Sequence, residues 1–424
     1  MMSTKRKINL PEIFIVLVNI AMWTVMYYRQ CVIDNTLDYH AHNLFAKLIV
    51  EGKLTLTYPL YHYATGWLAL LFRTDTLHSS VIVLVILQIF SMYALAWLLE
   101  ELTGKWDSRA CLILSAFILN IVQPVFTYSI KPGYSSGNGL VSPTSLACKP
   151  FAILAILVFL RAYSQNDWNI KRQLSMLFLL IMTCLAKPMF AMAFVPAMGL
   201  LLFVDKISEI IKGREKFSEA VLKYIIRIWP LFVTGCLLIV QYYLTTVIET
   251  PRELTEDIRL SADADTHIRF GFMYAWKMVV SNVYVSIVFA YLFPIVLFII
   301  WFLLRNKKQH SFDVKTMSAF NPFAKMCACY GVVSFCYIAF LYQDNGAEKD
   351  MNFRNCWIIT FTMVYCLATA FLWKWCKNDK LNQKIREAGV ISFIKNNIGF
   401  CIVVCTVLIH VLFGLALIAK NIVV

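Results

Sequence analysis

The side chains best suited to moving a proton lie just past the first apolar span. The stretch from Ile33 to Ile49 carries two carboxylates, Asp34 and Asp38, and two imidazoles, His40 and His42. Asp38 and His42 stand at i and i+4. On a helix they share a face, with β-carbons about 5 to 6 Å apart. A carboxylate beside an imidazole orients it and stabilises its charged form, so the pair can take a proton from a hydroxyl. The bland reading is a polar interfacial loop with no chemistry. A metal reading also stays open. On a strand Asp38, His40 and His42 would line one side and could ligate a divalent cation. The apolar stripe Leu44, Phe45, Leu48 and Ile49 that follows argues for helix, which turns His40 away. A divalent cation is therefore possible, and no cofactor is required.

Three further stretches could bind rather than react. The run from Lys131 to Pro150 contains Gly133, Gly137 and Gly139, with hydroxyls at Ser142, Thr144 and Ser145. Its glycines and prolines predict a loop, with Thr144 or Ser145 capping the next span and Lys149 in that span's first turn. Exposed N–H groups there attract anions such as a lipid phosphate. The run from Glu348 to Arg354 sets a carboxylate, the amide of Asn352 and a guanidinium together, which suits a sugar and its phosphate. Arg269 lies in a third, mixed-charge loop over 249–277. Each of these also reads as an ordinary solvated loop. Lys187, between two short apolar runs, either snorkels outward or pairs with an anion.

The elements that must hold these groups are membrane helices. Of the 424 residues 60% are hydrophobic and 15% charged, with mean hydropathy +0.66; a soluble domain has about a quarter charged. Helices satisfy the backbone in lipid, so the expected fold is all-α and polytopic. The net charge of +14 is explained by topology signals in cytoplasmic loops rather than by nucleic acid. Thirteen cysteines show no zinc spacing and read as small core residues. Lys5, Arg6 and Lys7 precede the first span without a cleavage site, so that helix is retained with its N-terminus in the cytoplasm.

Taken in order, the spans are 11–28, 80–99, 111–128, 151–163, two short ones over 174–204 broken at Lys187-Pro188, 228–247, 283–304, 324–342, 356–375 and 398–418. That makes about eleven. The chain reads as one transmembrane domain, 1–424, with no separate soluble part. Its first extracytoplasmic loop, 29–78, contains an interfacial helix over 39–50 lying on the membrane surface. After it come Tyr58-Pro59 and an apolar piece ending near Phe72, too short to span, with its tyrosines and Trp67 at headgroup depth. Residues 205–227 read as a basic cytoplasmic segment.

These features together resemble the GT-C superfamily of integral-membrane glycosyltransferases. The shared plan is a first span, an outer loop opening on a crucial Asp (here Asp34 or Asp38), an amphipathic helix, then a Tyr-Pro segment. The stretches from Ser142 to Pro150 and from Glu348 to Phe353 are similar to uncharacterised bacterial membrane proteins of that architecture. The resemblance implies a transferase in the plasma membrane that uses a polyprenyl-phosphate-linked sugar and a glycan or lipid acceptor, in cell-envelope polysaccharide biosynthesis. It implies Asp38, oriented with His42, as the base. Lys149, Arg354 and Arg269 would neutralise phosphate, and Glu348 and Asn352 would position sugar hydroxyls. Asp34 and His40 would complete the substrate-binding loop. No Asp-x-Asp pair is present, which leaves metal use and acceptor open. Two rival classes predict different features. A lipid-linked polysaccharide polymerase calls for a large, Arg-rich late outer loop. A transporter or flippase for lipid-linked glycans calls for charges along a central path and inverted repeats.

Overall fold

The computed structural model describes residues 10–34, 37–104, 108–120, 142–247, 267–274, 277, 282–304, 318–344, 349–350, 354–376 and 398–423. It is an all-α, polytopic membrane protein. Among the described residues eight helices are long and apolar enough to cross a bilayer, and nine if one bent pair counts as a single span. Two of the about eleven expected spans fall outside that count among the described residues. The third is described as an apolar helix only over Ala110–Asn120, within α5 (Ser108–Asn120), and the fifth is the 17-residue α7 (Ile170–Ala186).

The first helix, α1 (Leu10–Tyr28), runs into a π-helical turn, Arg29–Ile33. There Asp34 donates its N–H to Arg29 O at 2.8 Å and its carboxylate pairs with Arg29 Nε at 3.0 Å. α2 (Leu37–Val50) follows, then α3 (Leu60–Phe72). The two helices form a hairpin. Phe45 and Ile49 pack with Leu54 in a small core of their own. α2 also contacts the long α4 (Thr76–Thr103). Part of the apolar stripe thus packs on protein. Tyr61 is likewise fully buried, while Tyr63 and Trp67 remain exposed.

The helix start at 151 is corrected: α6 (Pro143–Ser164) begins eight residues earlier than the loop chemistry suggests. Pro143 takes the first helical position, where a missing N–H costs nothing. Pro150 sits inside, as membrane helices tolerate. After α7 the chain breaks at Lys187-Pro188 and resumes as α8 (Met189–Ile211), as the proline predicts. Within the basic segment 205–227, residues from Phe217 on already belong to α9 (Phe217–Val247), a single helix with Pro230 inside.

The expected span 283–304 is two helices, α10 (Val283–Ala290) and α11 (Leu292–Leu304), bent by 71°. Two distant side chains satisfy the freed backbone. Tyr365 donates its hydroxyl to Ala290 O at 2.8 Å, and His410 Nε2 accepts from Phe293 N at 3.3 Å. These belong to α13 (Arg354–Cys376) and α14 (Ile398–Val423), which follow α12 (Phe320–Phe340). A three-stranded antiparallel sheet joins the loops: β1 (His267–Phe270), β2 (Leu341–Asp344) and β3 (Lys349–Asp350). Arg269 stands opposite Tyr342 in its register.

Candidate functional site

Asp38 lies in the first turn of α2, where a carboxylate favours the helix N-terminus. One turn on, His42 Nε2 is 3.5 Å from Asp38 Oδ1. The Asp38 side chain is 58% exposed and that of His42 is 14% exposed, so the acid reaches water and the imidazole sits behind it. The helix gives this geometry because i and i+4 stack on one face. It also sends His40 to an exposed position apart from His42. Among the described residues no three His, Cys, Asp or Glu side chains form a group able to hold a metal ion.

Behind His42 stands a residue to which the sequence reading assigned no chemistry. His62, on α3, is fully buried. Its Nε2 lies 2.9 Å from His42 Nδ1, with the rings 5.1 Å apart. Burial, and then the charge of Lys187, push the His42 pKa down to about 3. Burial and then His42 hold His62 well below the usual imidazole range, opposed by the Tyr58 carbonyl. Both rings are therefore neutral near pH 7. The signal that could have found His62 is its place in the third position after Pro59, on a helix required to face α2.

The hairpin is pinned from below. The Tyr61 hydroxyl is 2.5 Å from Ser80 Oγ and donates to Asn43 Oδ1 at 3.4 Å. Gly66 allows α3 to approach α2 closely: an added β-carbon would overlap Val50 and lie 2.8 Å from the carbonyl of Ala46.

Lys187 joins this corner to the next one. Pro188 has no N–H to give to Cys184 O, the acceptor one turn back. Gln241 on α9 supplies the donor, with its Nε2 at 3.1 Å from Cys184 O and 2.9 Å from Thr57 O. One amide therefore ties the helix break to the segment leading into α3. Thiols hold the same break: Cys148 Sγ donates to Lys187 O at 3.5 Å and Cys356 Sγ to Met189 O at 2.8 Å. Lys187 Nζ donates to Ser142 Oγ at 3.3 Å.

Lys149, placed in the second turn of α6 by its earlier start, is 1% exposed. It shares a small cavity with Lys187, Ser145 and Cys148, closed by Met189, Phe190, Ile358 and Ile359. At about 20 Å³ it has room for about one water.

The remaining predicted residues are placed as follows. Asp34 is engaged by Arg29. Arg269 is exposed on β1, and Arg354 opens α13, four residues after β3. Glu348 and Asn352 lie outside the described residues. The structure thus brings Asp38, His42 and His62 together, with Lys187 in electrostatic reach of His42, and sets Lys149 beside Lys187.

No family model matches this chain, and no curated protein matches it. Among solved structures it is similar to the archaeal oligosaccharyltransferase AglB from Archaeoglobus fulgidus, determined in complex with an inhibitory peptide and a dolichol-phosphate. The TM-score is 0.45 at 10% identity, over 97% of this chain and 56% of that one. The chain thus spans about half the length of that protein.

Proposed function

We propose that this protein is a membrane glycosyltransferase that moves a sugar from a polyprenyl-phosphate donor to an acceptor on the extracytoplasmic side. The observation that carries this reading is the corner itself. A solvent-reaching carboxylate, Asp38, is backed by an imidazole that feels the charge of Lys187, and a second buried ammonium, Lys149, lies in the adjoining cavity. A carboxylate with buried cations in its neighbourhood is what supports this reading.

The donor's phosphate is the leaving group. Lys187 and Lys149 offset the charge that builds on it from behind the site, across low-dielectric surroundings rather than by enclosing the phosphate in their small cavity. Arg269 and Arg354 add charge from the outer sheet and the mouth of α13. Asp38 takes the proton of the acceptor hydroxyl. The acceptor oxygen's pair then attacks the anomeric carbon, and the carbon–oxygen bond to phosphate breaks with its pair on the phosphate. Attack opposite the phosphate inverts the centre. Glu348 and Asn352 position sugar hydroxyls. Asp34, held by Arg29, shapes the entry to α2, and His40 faces the solvent side of the same helix.

The test is purified protein incubated with polyprenyl-phosphate sugars of several kinds and scored for release of free polyprenyl phosphate. Asp38→Asn is expected to lower release by at least about 100-fold while the protein still inserts. Full activity in that variant removes Asp38 from the mechanism, and no release from any donor refutes the transferase reading.

A further inference from the structure

Between α8 and α9 the bundle keeps a space that the packing of the two helices does not use. It is a groove of about 530 Å³, the size of a ligand site. Its walls are apolar: Val195, Leu200 and Phe203 on α8 face Ile228, Phe232 and Ile239 on α9. Leu200, Phe203, Phe232 and Ile239 are exposed, so the groove opens sideways from the bundle. Gly199 and Gly235 also line it. A β-carbon on Gly199 would lie 3.5 Å from Ile228 Cδ1, and one on Gly235 would lie 3.8 Å from Val195 Cγ1. Both are ordinary contact distances, unlike the overlap at Gly66. The approach of the helices therefore requires neither glycine, and what their missing side chains do is keep the groove deep.

One end of this groove carries charge. It closes at Phe203 and Tyr224, whose rings meet edge-on at 6.0 Å while the Tyr224 hydroxyl donates to Gly199 O at 3.4 Å. Arg227 follows on α9, one turn from Tyr224, and the turn between the helices adds Lys212, Arg214 and Lys216, all exposed. The acids of this region are committed elsewhere. Asp205 pairs with Lys325, Glu209 pairs with Lys206, and Glu215 is shared by Lys206 and Lys223, its side chain only 7% exposed. Of the carboxylates in 205–227 only Glu219 lies outside these pairs. Arg227 is held by neutral partners: it donates to Asn166 Oδ1 at 2.6 Å and lies over the Trp168 ring. Four cations thus face one acid at the end of an apolar groove. An apolar chain with an anionic phosphate head matches both halves, because Arg and Lys beside a membrane surface attract anionic lipid and Arg binds phosphate through two N–H groups.

We propose that the α8–α9 groove binds one anionic phospholipid, with a hydrocarbon chain along Gly199 and Gly235 and its phosphate against Arg227 and the basic turn 212–216. The donor of the transferase reading does not fit this orientation. Its phosphate belongs at the Asp38 corner, whereas these cations stand where α8 ends and α9 begins. A neutral lipid would cover the apolar walls and leave the basic turn without a counter-charge. The site stands independently of the transferase reading. Its consequence is mechanical: a lipid held by both helices clasps α8, which starts at the Lys187-Pro188 break, to α9, which carries Gln241. Binding to the folded chain alone then stabilises it by mass action.

The experiment uses the full chain, purified in detergent, stripped of lipid and mixed with phosphatidylglycerol or phosphatidylcholine of identical chains. Native mass spectrometry counts the lipid retained, and a thermal melt reads its effect. The native chain is expected to keep one phosphatidylglycerol with at least about 10-fold preference over phosphatidylcholine, and to melt higher as that lipid is added. A variant with Lys212→Gln, Arg214→Gln, Lys216→Gln and Arg227→Gln is expected to bring the two lipids within about 2-fold of each other. Gly235→Leu fills the groove from a position where an added β-carbon meets no clash. It is expected to fold, to retain no lipid and to lose the rise in melting temperature. Equal retention of the two lipids by the native chain overturns the proposal, as does an undiminished preference in the Gln variant or full retention by folded Gly235→Leu. Displacement of phosphatidylglycerol by an equal concentration of polyprenyl phosphate also overturns it and gives the groove to the donor. None of these results decides the Asp38→Asn release assay, which tests the transferase reading separately.

Discussion

At the scale of single residues, the corner is built from ionisable groups taken out of water. Two neutral imidazoles and two lysines sit where water is scarce. The histidines make stability depend on pH with a definite sign. The folded chain holds His42 near 3, whereas the unfolded chain protonates it at about 6.5. Between those values the unfolded state binds more protons, so stability is complete above about pH 6.5 and is lost as pH falls toward 3. Lowering pH from 7 to 5 should cost about 2 kcal/mol through His42 alone. A thermal melt across that range measures it, and the His42→Gln, His62→Gln double variant should lose most of the dependence. A flat native profile would show that neither ring is buried neutral. Lys149→Met removes a buried ammonium while keeping much of its bulk and should raise donor KM in the release assay; an unchanged KM would take Lys149 out of the donor site.

At the scale of elements, the α2–α3 hairpin carries the acid and both imidazoles, so its packing sets their distances. Gly66 is its tightest point. Gly66→Ala drives a β-carbon into Val50 and the Ala46 carbonyl and should destabilise the hairpin by about 1 to 3 kcal/mol. The companion change Gly235→Ala, which meets only Val195 at 3.8 Å, should cost little. Comparable melting of the two variants would mean the hairpin is looser than described. Gln241 is the second element-scale device, because its amide fills the bond that Pro188 cannot make. Gln241→Leu strips a donor from two carbonyls and should cost about 1 to 3 kcal/mol, with faster proteolysis near Thr57. Much of this scale was legible in the sequence. Proline placed the break at 187–188, and the 44, 45, 48, 49 stripe placed α2. The start of α6 was not legible, because Pro143 and Pro150 read locally as loop residues and only burial against neighbouring helices makes them helical.

At the scale of the whole molecule, polar contacts gather at two opposite ends. At one end Asp38, His42, His62, Lys187, Ser142 and Gln241 meet, close to where α6 and α8 begin. At the other, where α6 and α8 end and α12 begins, Tyr163 donates to Asp205, which pairs with Lys325 at 3.1 Å. Arg161 pairs with Glu101 at 2.7 Å and Lys206 with Glu215 at 2.8 Å at that same end. The chain's antiparallel course brings residues far apart in sequence to one side. The positive-inside rule predicts that the second end is cytoplasmic and the Asp38 corner external. Cysteines introduced at exposed Lys53 and Arg214 test this in intact cells with a membrane-impermeant maleimide. Lys53→Cys should label, and Arg214→Cys should label only after permeabilisation. The reverse pattern would place the corner inside.

By itself the sequence determined the class of the molecule and the position of its acid–imidazole couple, because both follow from short-range rules: hydropathy over about 20 residues and the i, i+4 geometry of a helix. Tertiary structure alone decided what stands behind that couple. His62 lies twenty positions from His42 in the chain, and Lys187 reaches the same corner only because a break between helices turns there. No local pattern encodes a contact whose partners are brought together by packing between helices. The reach of Asp38 to solvent, the neutrality of the rings and the nearness of the buried lysines are therefore properties of the folded bundle.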